Sequence, residues 1–135
     1  MTVIVCVDDA GGILFNRRRV SSDCTVIDDI MSLIGDSELW ISNYSKKLFP
    51  DAARICVSDH YLDMAHQGDF VFLESTVPDD LLQNCEKVIV YHWNRAYPSD
   101  VKFPLEELYR LGKLDAVTEF KGNSHDRITR EVYVL

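Results

Sequence analysis

No pair of cysteines in this chain has the spacing of a redox or zinc motif. Cys6, Cys24, Cys56 and Cys85 stand far apart, with no C-x-x-C pair and no paired Cys/His spacing. Three of the four lie among apolar neighbours, so they read as reduced thiols rather than a disulfide framework. The histidines, His60, His66, His92 and His125, make neither an H-x-H-x-D-H nor an H-E-x-x-H pattern, which disfavours a binuclear metallo-nuclease or a zincin. Basic residues are scarce: 14 Lys and Arg against 22 Asp and Glu leave a net charge of -8. Such a field repels phosphate backbones, so no nucleic-acid partner is expected. No apolar run approaches bilayer-spanning length, and the N-terminus lacks a basic segment followed by an apolar run and a small-residue cleavage site. No membrane contact and a cytoplasmic location are therefore expected. Internal repeats and low-complexity tracts are also missing.

What is present suits one globular domain over residues 1–135, since 47% of the residues are hydrophobic and 27% charged. The stretch Val3-Ile4-Val5-Cys6-Val7 is apolar and rich in β-branching, as a strand buried on both faces requires. Asp8-Asp9 ends it, and Gly11-Gly12 supplies backbone freedom for a turn or a close approach to a ligand. Beyond Arg17-Arg18-Arg19, the residues Val26, Ile27, Ile30, Met31, Leu33 and Ile34 form a helical apolar stripe, with Ser22 or Asp23 as N-cap and Gly35 as the stop. Short strands are expected at Glu38 to Ser42, Arg54 to Ser58 and Phe70 to Leu73, with helical turns over Asn43 to Phe49 ended by Pro50. Strands and helices thus alternate through the first half, the pattern of crossovers onto a parallel sheet. In the second half Lys87 to Trp93 reads as a strand and Leu105 to Leu111 as a short helix opened by Pro104. Ala116 to Phe120 and Ile128 to Val134 read as a hairpin joined by the turn formers Lys121 to Asp126.

In order and pattern, these segments resemble the dihydrofolate reductases. Val3 to Ile13 is similar to that family's opening strand and glycine loop, and the helix after Asp23 to its first helix. Leu39-Trp40-Ile41-Ser42-Asn43-Tyr44-Ser45 stands where the family has a strand and phosphate-binding turn. Phe70 to Ser75, Val88 to Trp93, Lys102-Phe103-Pro104, Val117 to Phe120 and the closing hairpin follow in the family's order. The resemblance implies an α/β, dihydrofolate reductase-like fold: a mostly parallel central sheet, flanking helices and a C-terminal antiparallel hairpin. It further implies Asp23 as the carboxylate that holds a pterin-like heterocycle.

The chain departs from that family in three places. Ser42-Asn43-Tyr44-Ser45 keeps a hydroxyl at Ser45 but lacks the arginine that meets the cofactor phosphate. Between Ser75 and Val88 a polar connection with one helical turn replaces a helix and a strand ending in a Gly-Gly turn. The sheet is expected to lose an element there, together with the pyrophosphate cradle. Arg17 to Ser22 carries no equivalent of the family's Trp and Pro ahead of the acidic residue.

Each candidate site has a plainer alternative. Asp23 is suited to protonating a heterocycle, but it also stands where a helix cap belongs, and the cap is preferred. Arg17, Arg18 and Arg19 form the densest positive cluster, suited to an anion or equally to a solvated loop or ion pairs with the many carboxylates. Asp59, Asp63 and His66 share one face only if a helix runs through all three, so no metal site is assigned. Asp8 and Asp9 read as a strand-ending turn rather than a cation site. Ser124-His125-Asp126 holds the residue types of a hydrolase triad, yet adjacent side chains in a turn diverge, and the turn reading is preferred. Tyr91 to Arg95 either lines a pocket at the sheet rim or closes the core.

The expectation from these observations is a reductase-fold protein without standard NADPH-dependent hydride transfer, acting as a small-molecule or protein-binding module. Its tentative site comprises Asp23 as catalytic carboxylate, with Gly11, Gly12, Ser45, Arg17 and Arg18 toward a cofactor. No cofactor is named on this reading. The alternative is a reductase of a pterin-like or other heterocyclic substrate, in which NADPH is the cofactor and Arg17 to Arg19 replace the missing phosphate contacts. An exposed sheet edge left by the missing element would also permit a homo-oligomer.

Overall fold

The computed structural model describes residues 1–135. Strand β1 (Thr2–Val7) is the centre of a seven-stranded sheet. Its neighbours, both parallel to it, are β6 (Phe70–Phe72) and β7 (Lys87–His92), so Val3 lies opposite Val71 on one side and Val88 on the other. Beyond β6 come β4 (Leu39–Ile41) and the edge strand β5 (Ile55–Val57), also parallel. Beyond β7 come β10 (Ile128–Val134) and the edge strand β9 (Lys113–Phe120), both antiparallel. The sheet is thus mostly parallel with a C-terminal antiparallel hairpin.

Alternation along β1 divides the core. Ile4 points to one face, where it joins Ile89, Tyr91, Phe72 and Ile128 beneath helix α1 (Cys24–Ile34), whose Val26, Ile27, Ile30 and Ile34 are buried. Val3, Val5 and Val7 point to the other face and meet Leu81, Leu82, Phe103 and Leu108, the last from helix α3 (Leu105–Leu111). Each such aliphatic side chain contributes about 1.5–3 kcal/mol when fully buried.

Three short strands escape the expected pattern: β2 (Gly12–Phe15), β3 (Arg18–Arg19) and β8 (Val101–Lys102) form a separate antiparallel sheet. The β2–β3 connection is a two-residue turn in which Asn16 and Arg17 both hold positive φ, 49° and 64°. That is the conformation whose twist matches a tight hairpin. The arginine triplet is therefore half turn and half strand rather than a loop. Strands of two to four residues are too short for an alternating pattern to show in the sequence.

The sheet keeps its continuity where a lost element was expected. β6 and β7 flank β1 directly, so no strand is missing between Ser75 and Val88; what is reduced is the crossover, to a single 3-10 turn at Leu81–Gln83. Helix α2 (Tyr61–Met64) is one turn long. Asp59 and His66 fall outside it, and the carboxylate of Asp59 accepts from the backbone N–H of Asn43, so the three candidate ligands make no metal cluster. No helix is long and apolar enough to cross a membrane.

Candidate functional site

Parallel strands end on one side of a sheet, and ligand clefts form there. On that side β1 runs into Asp8, whose buried carboxylate closes the strand-ending turn. Its Oδ1 accepts from the N–H groups of Ala10 and Gly12 at 2.9 and 2.6 Å, and its Oδ2 from Tyr97 at 3.0 Å. Gly11 takes φ 80°, and a Cβ at Gly12 would stand 2.3 Å from Ser99 Oγ. The close approaches these glycines permit are to the chain itself, Gly11 to Phe103 and Leu105 and Gly12 to Ser99.

Asp23 caps α1, as expected: Oδ1 accepts from Thr25 N–H at 2.9 Å. The turn joining β9 to β10 then folds over the same carboxylate. Oδ1 accepts from Asn123 N–H and Oδ2 from Ser124 N–H, both at 2.9 Å, while His125 Nδ1 lies 2.9 Å from Oδ2. The Ser124 hydroxyl adds a longer contact at 3.2 Å. Burial by itself would raise this carboxyl, but hydrogen bonds from Asn123, His125, Ser124 and Thr25 outweigh it and hold the group far below the usual carboxylate range. The His125 ring is itself fixed by stacking on Trp93, with centroids 4.5 Å apart. Its Nε2 faces the Ser21 hydroxyl at 2.8 Å, with Tyr97 Oη 3.3 Å away.

Beside Asp23, a small void opens between β1, the start of α1 and β6. Its volume is about 10 Å³, and it is lined by Cys6, Ser21, Asp23, Val26, Phe72 and Trp93 among others. Room of that order suffices for one water molecule at most.

Strand β6 runs on into Leu73-Glu74-Ser75 rather than into glycines. The Glu74 carboxylate receives two hydrogen bonds from Arg19, at 2.9 and 3.0 Å, and one from the Ser45 hydroxyl at 2.7 Å. Arg19 also packs over the Tyr44 ring, 4.3 Å from its centroid. Burial lowers the guanidinium's proton affinity, but the pairing with Glu74 more than compensates and raises it. Of the arginine triplet, then, Arg19 is bound internally, while Arg17 and Arg18 are exposed. Ser45 is wholly buried with its hydroxyl committed. These residues do not fit the phosphates of a dinucleotide: an acidic side chain occupies the strand end, and the neighbouring cation and hydroxyl are spent on it.

Two open grooves meet over this end of the sheet, sharing Tyr44, Glu74 and Ser75. One, of about 620 Å³, is walled by Arg17 and Asp100; the other, of about 380 Å³, by Asp59, His60 and Asp63. The structure therefore separates the expected site residues. Asp23 is sealed beneath the C-terminal turn, Gly11 and Gly12 pack against the chain, Arg17 borders one of these two grooves, and Arg18 lines a separate open depression with Phe15 and Pro98. No local signal joins Trp93 to His125 or Glu74 to Arg19 and Ser45, because these partners are far apart in the chain and meet only in the fold. Tyr91 to Trp93 closes the core: Tyr91 is fully buried, with its hydroxyl donating to Asp29 at 2.6 Å.

The four cysteines are free thiols of unequal access. Burial pushes Cys6 well up and Cys85 up to about 11, whereas Cys24 is exposed. Because the thiolate is the reactive form, iodoacetamide at neutral pH is expected to modify Cys24 first and to reach Cys6 and Cys85 only when the chain unfolds. Peptide mass spectrometry over a time course checks the order, and early modification of Cys85 would contradict the packing.

The strand order, the cap of α1 and the C-terminal hairpin together define the dihydrofolate reductase fold. A dihydrofolate reductase from Enterococcus faecalis, solved in complex with NADP(H) and RAB-propyl, matches with a TM-score of 0.68 over 98% of this chain and 94% of that chain, at 14% identity. At that identity the likeness establishes the fold. No protein-family model matches the chain, and no curated protein matches it.

Proposed function

We infer that this protein is a binding module on the dihydrofolate reductase fold that does not carry out NADPH-dependent pterin reduction. The observation that carries the reading is the saturation of Asp23. A carboxylate that holds a heterocycle must offer both oxygens to it, and here both are taken by the chain's own donors. Glu74 at the end of β6 supports the same reading from the cofactor side. The ligand surface is the pair of grooves joined at Tyr44, Glu74 and Ser75. Their carboxylates, Asp59, Asp63, Glu74 and Asp100, outnumber the cation Arg17 on their walls and favour a cationic or neutral polar small molecule over a phosphorylated one. The same features disfavour the alternative of a working reductase.

Purified protein with dihydrofolate and NADPH is expected to oxidise no NADPH above background. Millimolar NADPH is expected to leave Tm unchanged, because only a ligand selective for the native state raises it. Dihydrofolate-dependent oxidation of NADPH by the wild-type protein would overturn the reading.

A further inference from the structure

Ser21, His125 and Asp23 form a continuous hydrogen-bonded chain: Ser21 Oγ to His125 Nε2 at 2.8 Å, and His125 Nδ1 to Asp23 Oδ2 at 2.9 Å. We propose that this chain is a nucleophile, base and positioning carboxylate for hydrolysis of a small carboxylic ester, an activity independent of the grooves at the strand ends.

The order of proton donation follows from the carboxylate. Asp23 is ionised and can only accept, so Nδ1 carries the proton that faces it, and in the neutral imidazole Nε2 is left as the acceptor. The hydroxyl nearest to Nε2 is that of Ser21; Tyr97 Oη is farther, at 3.3 Å. The base is rigid: His125 is 3% exposed and stacked on Trp93, and the Asp23 side chain is wholly inaccessible. Ser21, by contrast, is half-buried, as a nucleophile that meets substrate must be. This arrangement fulfils by geometry what a triad requires, whatever the order of its members in the chain.

Donors for a developing oxyanion lie beside the nucleophile. The backbone N–H groups of Ser21 and Ser22 have no acceptor within the chain. The indole Nε1 of Trp93, a residue 3% exposed, is also without a partner, and Trp93 lines the same small void as Ser21. A buried, unpaired N–H is costly to fold and is explained if it serves a group that arrives later. Val20, the chain neighbour of Ser21, and Tyr97 border an open depression of about 480 Å³ whose other walls are Phe15, Asn16, Arg18, Arg19 and Pro98, a mixed polar and apolar lining with room for a small ester.

In the first half-reaction Ser21 Oγ bonds to the carbonyl carbon as its proton passes to Nε2. The carbonyl electron pair moves to oxygen, then returns to break the C–O bond of the leaving alcohol, which takes the proton from Nε2. In the second, water adds to the acyl group and gives a proton to Nε2; collapse releases the carboxylic acid, and Ser21 Oγ recovers that proton.

A fluorophosphonate probe incubated with the wild-type protein is expected to label Ser21, located by peptide mass spectrometry. Hydrolysis of p-nitrophenyl acetate is expected to fall by about 100-fold or more on Ser21→Ala. Nitrogen NMR of the wild-type protein is expected to show His125 protonated at Nδ1 and bare at Nε2, the tautomer a general base at Nε2 requires, while labelling of Ser21 is the readout that separates catalysis from a structural contact. The proposal is overturned if the folded wild-type protein is not labelled at Ser21, if ester hydrolysis survives Ser21→Ala, or if His125 carries its proton on Nε2. The labelling and NMR arms need no variant, so they decide the matter even if Ser21→Ala does not fold. None of the three outcomes depends on NADPH binding.

Discussion

Asp23→Ala is expected to lower the stability of the protein by about 3–5 kcal/mol, the cost of leaving the partners of a buried charge without it. Three backbone N–H groups, those of Thr25, Asn123 and Ser124, lose their acceptor together with the His125 ring. A ligand-binding carboxylate predicts the opposite, since removing an uncompensated charge from a cleft relieves strain. A fall in Tm on the order of 10 °C corresponds to the structural role; an unchanged or higher Tm would refute it. The same carboxylate sets the acid limb of stability. Folding holds Asp23 below the ordinary carboxyl value, so the unfolded chain binds the extra proton as the pH drops. The contribution is present above the unfolded carboxyl value of about 4 and is lost as the pH falls below it toward the folded-state value. Urea unfolding between neutral pH and pH 3 should show this loss in the wild-type protein and a shallower loss in Asp23→Ala.

Gly122→Ala is expected to destabilise by about 2–3 kcal/mol, the scale of overpacking in a core that does not yield. A Cβ at Gly122 would stand 2.5 Å from Asp23 Oδ2 and 2.8 Å from Ile128 Cδ1. Neither neighbour is free to move: the carboxylate is held from several directions, and Ile128 is fully buried. Because the clash is with Asp23 itself, the two substitutions are not independent. Once Asp23 is alanine, adding Gly122→Ala should cost much less than it does alone, and a double-mutant cycle measures the difference. Strict additivity would mean that the glycine serves Ile128 rather than the carboxylate.

Much of the fold is legible in the sequence because its strongest signals are local. The five apolar residues of β1 and the stripe Val26, Ile27, Ile30 and Ile34 announce a buried strand and a one-sided helix, and Asp23 and Gly35 mark that helix's ends where the structure has them. β2, β3 and β8 are not legible, since strands of two to four residues carry too few positions for alternation to register. The site was harder for a different reason. Ser124-His125-Asp126 contains the right imidazole, but its partners are Ser21 and Asp23, 104 and 102 residues away. The capping role of Asp23 is local and legible, whereas its bonds to Asn123, Ser124 and His125 come from residues about a hundred positions away. Nothing local in Phe70 to Ser75 singles out Glu74, and only the meeting of β3, the turn after β4 and the segment after β6 makes it the partner of Arg19 and Ser45.

The lock between α1 and the C-terminal turn bears on the order of events during synthesis. The first helix can coil early, but its capping carboxylate waits about a hundred residues for Asn123, Ser124 and His125 to be made, and central β1 waits for Lys87–His92 before both its flanks are covered. The chain thus closes around its beginning last. Refolding should be slow for a domain of this size, as contacts so distant in sequence demand, and until they form the half-made protein offers its central strand to any other unpaired edge it meets.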